Sequence, residues 1–373
     1  MLTEKELHKN LYMLNGSFAN TGYDWWWHSF TAINETTGKE KPFFIEYFII
    51  NPNVSPDKFV LGGDGKPSYF MINCGTWCKN KAQLHKYFNV NDIKIAKNKL
   101  LITGQDFMLS EERITGKVSI TNPIKKELSD AGSMEWDIKL EKVIGYDVGY
   151  GTSPLFRDIK AFDMYWHAQG IKTLMNGYVI YNNEKYIVSP KSCFGYSDKN
   201  WGRDFTSPWV WLSSWDLVSQ VSGKRLENSA FEVGGGRPRA FGITFKDKLL
   251  IDFYYEGKKY EFNFSKFWTL PRTKFDCYET DDKIIWNINT KNRRNRLFIH
   301  IECLKEDMLL INYEAPDGEQ KFHRLFNGGN GIGYLELYKG NSLIDKIETG
   351  HVGCEYGKYH SEGDNYFKKG DEK

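Results

Sequence analysis

The densest run of side chains able to do chemistry reads Gly195-Tyr-Ser-Asp-Lys-Asn-Trp-Gly-Arg-Asp-Phe-Thr-Ser-Pro-Trp-Val-Trp211. It brings an acid (Asp198), a cation (Lys199), an amide (Asn200) and three indoles (Trp201, Trp209, Trp211) into one short stretch. An apolar surround disfavours the charged form of a carboxylate and raises its pKa, so that it can hold a proton near neutrality. Indole faces can stabilise a developing positive charge. In this reading Asp198 is a general acid, or hydrogen-bonds a neighbouring acid into place. Lys199 and Asn200 then orient polar groups, and Trp201, Trp209 and Trp211 shape a cavity. The plainer alternative is a structural knot, in which Asp198 and Asn200 tie up loop backbone and the indoles fill core.

Other residues could carry protons or line the same site. Trp25-Trp26-Trp27-His28 is the second aromatic cluster. On a strand, Trp25 and Trp27 face one way and Trp26 and His28 the other. His28 is a candidate base or orienting group, with a satisfied structural histidine as its alternative. Glu46 interrupts the apolar run Pro42–Pro52. A lone buried carboxylate needs a partner or a raised pKa, so Glu46 is a second proton carrier or half of an ion pair. His167, after Trp166, is the third candidate, because its segment leads into the Asp198 stretch.

Several familiar chemistries find no support. Gly234-Gly-Gly-Arg-Pro-Arg239 lacks the spacing of a dinucleotide or phosphate loop and precedes strand-like sequence. The basic stretch Arg293-Arg-Asn-Arg296 reads as a solvated hairpin tip. The eight histidines show no HExxH or HxH spacing, and GxSxG is absent. No metal or other cofactor is expected.

The elements that must position these residues read as β-strands. Aromatics make up 16% of the chain, and 34 Gly against 11 Pro suit turn-rich sheet. Met134–Glu141 alternates with a period of two, and Tyr178–Tyr181 and Tyr186–Ser189 flank an Asn182-Asn183-Glu184 turn signal. Many short strands at about ten-residue spacing suggest meandering sheets or barrels. A short helix is expected in the first dozen residues. Another is expected where Leu155, Phe156, Ile159 and Phe162 fit one helical face after Ser153-Pro154. A domain junction near that second helix divides the 373 residues into 1–160 and 161–373. Six cysteines show no redox or zinc spacing and are expected as buried or incidental thiols. The tail after Tyr359 is expected to fray.

With these residues in view, the central stretch resembles the tocopherol cyclase-like family, whose motif runs approximately Tyr-x-Glu/Asp-Lys-Asn-Trp-Gly, a short gap, then Pro-x-Trp-x-Trp. Flanking segments are similar in order: Gly22–His28 with the apolar strand Phe43–Ile50, Trp166–Tyr186, Phe231–Gly236 and Thr349–Glu355. The family belongs to a lipocalin-like group with carotenoid 1,2-hydratases, kievitone hydratase and fungal Diels–Alderases. The resemblance implies a mostly β chain of two consecutive lipocalin-like antiparallel barrels with a few short helices. It also implies a pocket for a large hydrophobic molecule and metal-free protonation or reorganisation of a C=C bond. The chain departs from the cyclase pattern at Asp198, where many members carry Glu, and in the residues around Pro208 and after Trp211, which opens the question of substrate.

The expected function is therefore a cofactor-independent cyclase, hydratase (lyase) or isomerase acting on a hydrophobic unsaturated small molecule such as an isoprenoid or polyphenol. A carrier with the same pocket and no chemistry, and a glycan-acting β protein, are the rivals. A net charge of +2 argues against nucleic acid as the partner. The polar N-terminus and the absence of a long apolar window lead to the expectation of a cytoplasmic chain without a transmembrane segment.

Overall fold

The computed structural model describes residues 7–55, 66–123, 129–148, 161–237, 239–240, 243–244, 248–266, 268–311, 313–318 and 325–357. Among these the regular structure is antiparallel β-strand with short 3-10 turns such as His8–Asn10 and Gly16–Ala19. The expected mostly-β architecture of barrel-like sheets is present. The expected helix near residues 153–162 lies almost wholly outside the described residues, as does the tail after Tyr359. Most of the expected N-terminal helix also lies outside the described residues; Leu7 is helical and the 3-10 turn His8–Asn10 follows it.

The chain forms two compact units. The first is built from residues 1–147, 162–205 and 312–321. Its strands are β1 (Tyr23–Asn34), β2 (Glu40–Ile50), β3 (Tyr69–Thr76), β4 (Ala82–Phe88), β5 (Lys94–Ile95), β6 (Leu101–Gly104), β7 (Phe107–Ser110), β8 (Arg113–Ile120), β9 (Gly132–Tyr146), β10 (Met164–Tyr181), β11 (Glu184–Val188) and β12 (Gly195–Gly202). They form one 12-stranded sheet in the order β4-β3-β2-β1-β11-β10-β9-β8-β7-β6-β5, with β12 paired to both β1 and β10. The boundary expected at 160 therefore does not divide the structure. β10, β11 and β12 return to pair with β9 and β1, so the Asp-Lys-Asn-Trp-Gly motif belongs with the N-terminal strands rather than to a C-terminal domain. The β10–β11 hairpin turns at Asn182 and Asn183, both at positive φ (48° and 69°), which short polar asparagines tolerate and a two-residue type I′ turn requires.

The second unit comprises residues 148–161, 206–311 and 322–373. It contains β13 (Trp209–Ser214), β14 (Asp216–Ser219), β15 (Ala230–Gly236), β16 (Arg239–Ala240), β17 (Ile243–Thr244), β18 (Lys248–Tyr255), β19 (Lys258–Asn263), β20 (Arg272–Glu279), β21 (Lys283–Lys291), β22 (Asn295–Leu304), β23 (Leu309–Ile311), β24 (Leu325–Lys339) and β25 (Ser342–Gly357). Eleven of these form one sheet along β19-β18-β15-β13-β25-β24-β22-β21-β20, and β16 and β17 form a small hairpin.

Burial separates two kinds of strand. β9 and β21 alternate buried with more exposed residues, as expected for a sheet with one wet face. β1, β3 and β12 are buried almost throughout, and so is the second half of β2. One face of these strands (Trp26, Phe30, Ile45, Tyr47, Ile72, Trp201) joins the core of the first unit. Their other face is equally dry, and there the candidate chemistry lies.

Candidate active site

Residues directly opposite one another on neighbouring strands project from the same face, so the strand register sorts the candidates. Trp27 is opposite Asp198 on β12 and Glu46 on β2; Glu46 is opposite Asn73 on β3, and Asn73 is opposite His85 on β4. One row thus crosses five strands as His85, Asn73, Glu46, Trp27 and Asp198. The next row runs Met71, Phe48, Trp25, Asn200 and Trp166. All the side chains of both rows are buried. The alternation expected for Trp25–His28 holds: Trp25 and Trp27 lie on this face, and Trp26 and His28 on the core face.

Asp198 is held by neutral donors. Trp166 Nε1 donates to Oδ2 at 2.8 Å and the Tyr196 hydroxyl donates to the same oxygen at 3.1 Å. Burial raises its carboxyl to about 7, against the lowering effect of those two hydrogen bonds. Oδ1 is buried and makes no hydrogen bond among the described residues. Asn73 Nδ2 donates to Glu46 Oε2 at 3.3 Å. The Tyr23 hydroxyl donates to Asn200 Oδ1 at 2.8 Å, which leaves the amide nitrogen facing outward from that bond.

Aromatic rings form the wall. Trp27 stacks on Phe44 with centroids 5.1 Å apart and planes 7° apart, and Phe44 lies 4.9 Å from Trp77. Trp25 lies 5.3 Å from Tyr23 and 5.1 Å from Tyr313, and Phe205 lies 4.6 Å from Tyr23. Stacked and tilted rings at these spacings bury large apolar area with restricted rotamers, so they make a stiff wall.

The remaining first-unit candidates point to the core. Lys199 pairs with Asp24, both wholly buried, and its ammonium lies 3.8 Å from the centre of the Trp26 ring and 5.4 Å from that of Trp201. Burial pushes Lys199 down and Asp24 up, each against the pull of the other. Such a pair fixes which way β12 faces: breaking it would leave a lone buried charge. Lys199 and Trp201 are thus core elements and not members of the Asp198 face. His28 Nδ1 lies 2.9 Å from Ser197 Oγ. His167, on β10, is opposite Lys199 of β12. Burial lowers both histidines to about 3, so both are neutral at pH 7 and neither shares a face with Asp198.

Trp209 and Trp211 belong to the second unit, because the chain passes from one unit to the other between Phe205 and Thr206. There Trp209 Nε1 donates to Glu355, and Trp211 Nε1 donates to Glu232 Oε1 at 2.9 Å. Asn327 Nδ2 also donates to Glu355, at 3.2 Å.

Sequence reasoning passed over Tyr196, Asn73 and His85. Tyr196 stands two residues before Asp198 and so had to share its face. Asn73 is a lone amide in the apolar strand Tyr69–Cys74, the signal that singled out Glu46. Among the described residues no group of three or more His, Cys, Asp and Glu is placed to hold a metal ion.

Comparison with known proteins adds to this geometry. The sequence pattern of the family described as tocopherol cyclase-like matches residues 84–337, more than half of the chain. The chain belongs to the tocopherol cyclase-like family. A probable chloroplastic tocopherol cyclase of Oryza sativa subsp. japonica is 32% identical over 101 residues, 27% of this chain and 20% of the relative. The chloroplastic tocopherol cyclase of Zea mays is 30% identical over 101 residues, again 27% of this chain and 20% of the relative. The match thus spans a fifth of the length of these curated relatives. Among solved structures, that of CghA with Sch210972 superposes with a TM-score of 0.50 at 10% identity, covering 91% of this chain and 89% of that one. At that identity the likeness speaks to the fold alone.

Proposed function

We propose that the face carrying Asp198 binds a hydrophobic unsaturated small molecule and that Asp198 delivers a proton to its C=C bond, with cyclisation, hydration or isomerisation as the outcome. The observation that carries this reading is the Asp198 carboxyl itself. It is buried among Trp27, Trp166 and Tyr196, its pKa is raised to about 7, and one oxygen is left without a protein partner among the described residues. A carboxylic acid that still holds its proton near neutral pH is a competent general acid, worth about 10²–10⁴-fold in rate. The aromatic wall supplies apolar contact for the substrate and π-faces beside a developing cation. Membership of the tocopherol cyclase-like family supports an acid-assisted cyclase or hydratase in particular, and the names of the rice and maize relatives point the same way.

Purified protein and its Asp198→Asn variant, each incubated in D₂O with a lipid and polyphenol extract, test the reading. The expected outcome is deuterium gained by one compound with the unmodified chain alone. Retention of a compound by both proteins without any change of mass or chromatographic position would replace the enzyme with a carrier. Deuterium uptake surviving in the variant would remove Asp198 from the mechanism.

A further inference from the structure

The face around Asp198 carries further buried polar atoms. Among the other buried side-chain atoms there that make no hydrogen bond among the described residues are Trp27 Nε1, Asn200 Nδ2 and Asn73 Oδ1. The three residues are 6%, 0% and 1% exposed, so bulk water does not satisfy these atoms. Buried polar atoms are rarely left unpaired, and a ligand group is one way to complete them.

The chemistry of each atom dictates its partner. An indole N–H can only donate. Asn200 Oδ1 already accepts from Tyr23, which fixes its nitrogen as the donor left over. Trp27 is directly opposite Asp198, and Asn200 is two residues along β12 on the same face. Two donors therefore flank the acid, and both call for an acceptor oxygen. Asn73 is the reverse case. Its nitrogen donates to the Glu46 carboxylate, so its oxygen is the atom left over, and an amide oxygen can only accept. It calls for a hydroxyl or N–H. From Asn73 to Trp27 the row crosses β3, β2 and β1, two strand spacings, or about 10 Å between backbones.

We propose that the ligand of this face carries two oxygen functions of opposite character: an acceptor oxygen held by Trp27 Nε1 and Asn200 Nδ2 beside Asp198, and, two strand spacings (about 10 Å) along the row, a hydroxyl that donates to Asn73 Oδ1. The substrate class is thus an unsaturated compound with a carbonyl-type oxygen and a hydroxyl rather than a bare polyene. A hydrocarbon chain would fill the aromatic wall but leave all three atoms buried and unpaired. This inference rests on the Asp198 face being the binding site.

Three rigid probes separate the two contacts: 4-hydroxychalcone has both oxygen functions, chalcone lacks the hydroxyl, and 4-hydroxystilbene lacks the carbonyl. Isothermal titration calorimetry with the full chain is expected to give the tightest binding for 4-hydroxychalcone. Loss of either oxygen function should weaken binding by about tenfold. Asn73→Leu should abolish the advantage of the hydroxyl and keep that of the carbonyl. Trp27→Phe, which retains a ring against Phe44 and leaves Asn200 as the remaining donor, should reduce the advantage of the carbonyl and keep that of the hydroxyl. Asp198→Asn should keep both. Asn73→Ser, which restores an acceptor, should recover part of the hydroxyl advantage, so that a loss caused by misfolding is told apart from a loss of recognition. Equal affinity for all three probes, or variants that weaken all three alike, would overturn the polarity assignment while leaving a hydrophobic site in place. Failure of every probe to bind would overturn the binding face as well.

Discussion

Asp198 in the first unit and Asp252 in the second hold their protons up to about the same pH, near 7, by different routes. Around Asp198 the hydrogen-bonding partners are neutral: an indole and a phenol donate to one oxygen, and burial does the rest. Around Asp252 the neighbours are charged. Glu232 and Glu261 are its cross-strand partners on β15 and β19, Lys259 Nζ lies 3.5 Å from its Oδ2, and Lys266 pairs with Glu261 at 2.6 Å. Burial again raises the carboxyl, while Lys259 and Lys266 pull it down and Glu261 pushes it up. Both units also aim indole N–H groups at buried carboxylates. The lesson is that a raised pKa marks a candidate but does not choose among candidates. A proton among neutral donors and aromatic rings suits a neutral, greasy substrate; one held in a net of lysines and glutamates is tied to its neighbours.

The largest expected effect breaks this comparison outright. Asp198→Asn is expected to lower proton-transfer turnover by about 10²–10⁴-fold, and Asp252→Asn by less than about tenfold, both read by deuterium incorporation. Similar losses in the two variants would erase the distinction. Next comes the core pair behind Asp198. Lys199→Met removes one partner of a buried ion pair and should cost about 3–5 kcal/mol in denaturant unfolding, because Asp24 is left alone in the interior.

A smaller change of opposite sign is expected at Asp198. Its folded-state pKa is raised above the ordinary 3.8, so its contribution to stability is full below that value and is lost as the pH rises through about 7. Asp198→Asn should therefore be more stable than the unmodified chain at pH 8, by at most about 4 kcal/mol, and gain little at pH 4. The same titration predicts that kcat/KM falls tenfold per pH unit above about 7, where the acid form is lost. The smallest effect is that of salt. Screening Lys259, the more exposed of the two lysines, should move the Asp252 titration slightly upward, while that of Asp198 stays put, as read by carboxyl carbon NMR.

How much of this was legible beforehand follows the range of the interaction. Strand periodicity was enough to separate Trp25 and Trp27 from Trp26 and His28, since alternation is a local property. It also separates Asp198 and Asn200 from Lys199, but the Asp-Lys-Asn run read as one cluster concealed that alternation. Glu46 stood out as a lone acid in an apolar strand, and the same reasoning applied to Asn73 would have found it. The placement of His167 was missed because its face depends on pairing with β12, some thirty residues on. Trp209 and Trp211 were grouped with Asp198 because they follow it closely in sequence. The crossing between units at Phe205 and Thr206 carries no local mark. The domain boundary failed for the same reason, since long-range pairing brings β10–β12 back to the first sheet.

The pairing of β1 with β12 also sets a timetable. Tyr23 is opposite Gly202, so β1 is complete long before the strand that covers one of its edges exists. At ribosomal rates of about 5–20 residues per second, that edge, with three consecutive tryptophans beside it, waits roughly ten to forty seconds for its partner. An exposed apolar strand edge is a template for association with other chains. β1 is therefore open to association during translation, and slowing the ribosome between residues 34 and 195 should lower the soluble yield more than slowing it after residue 205.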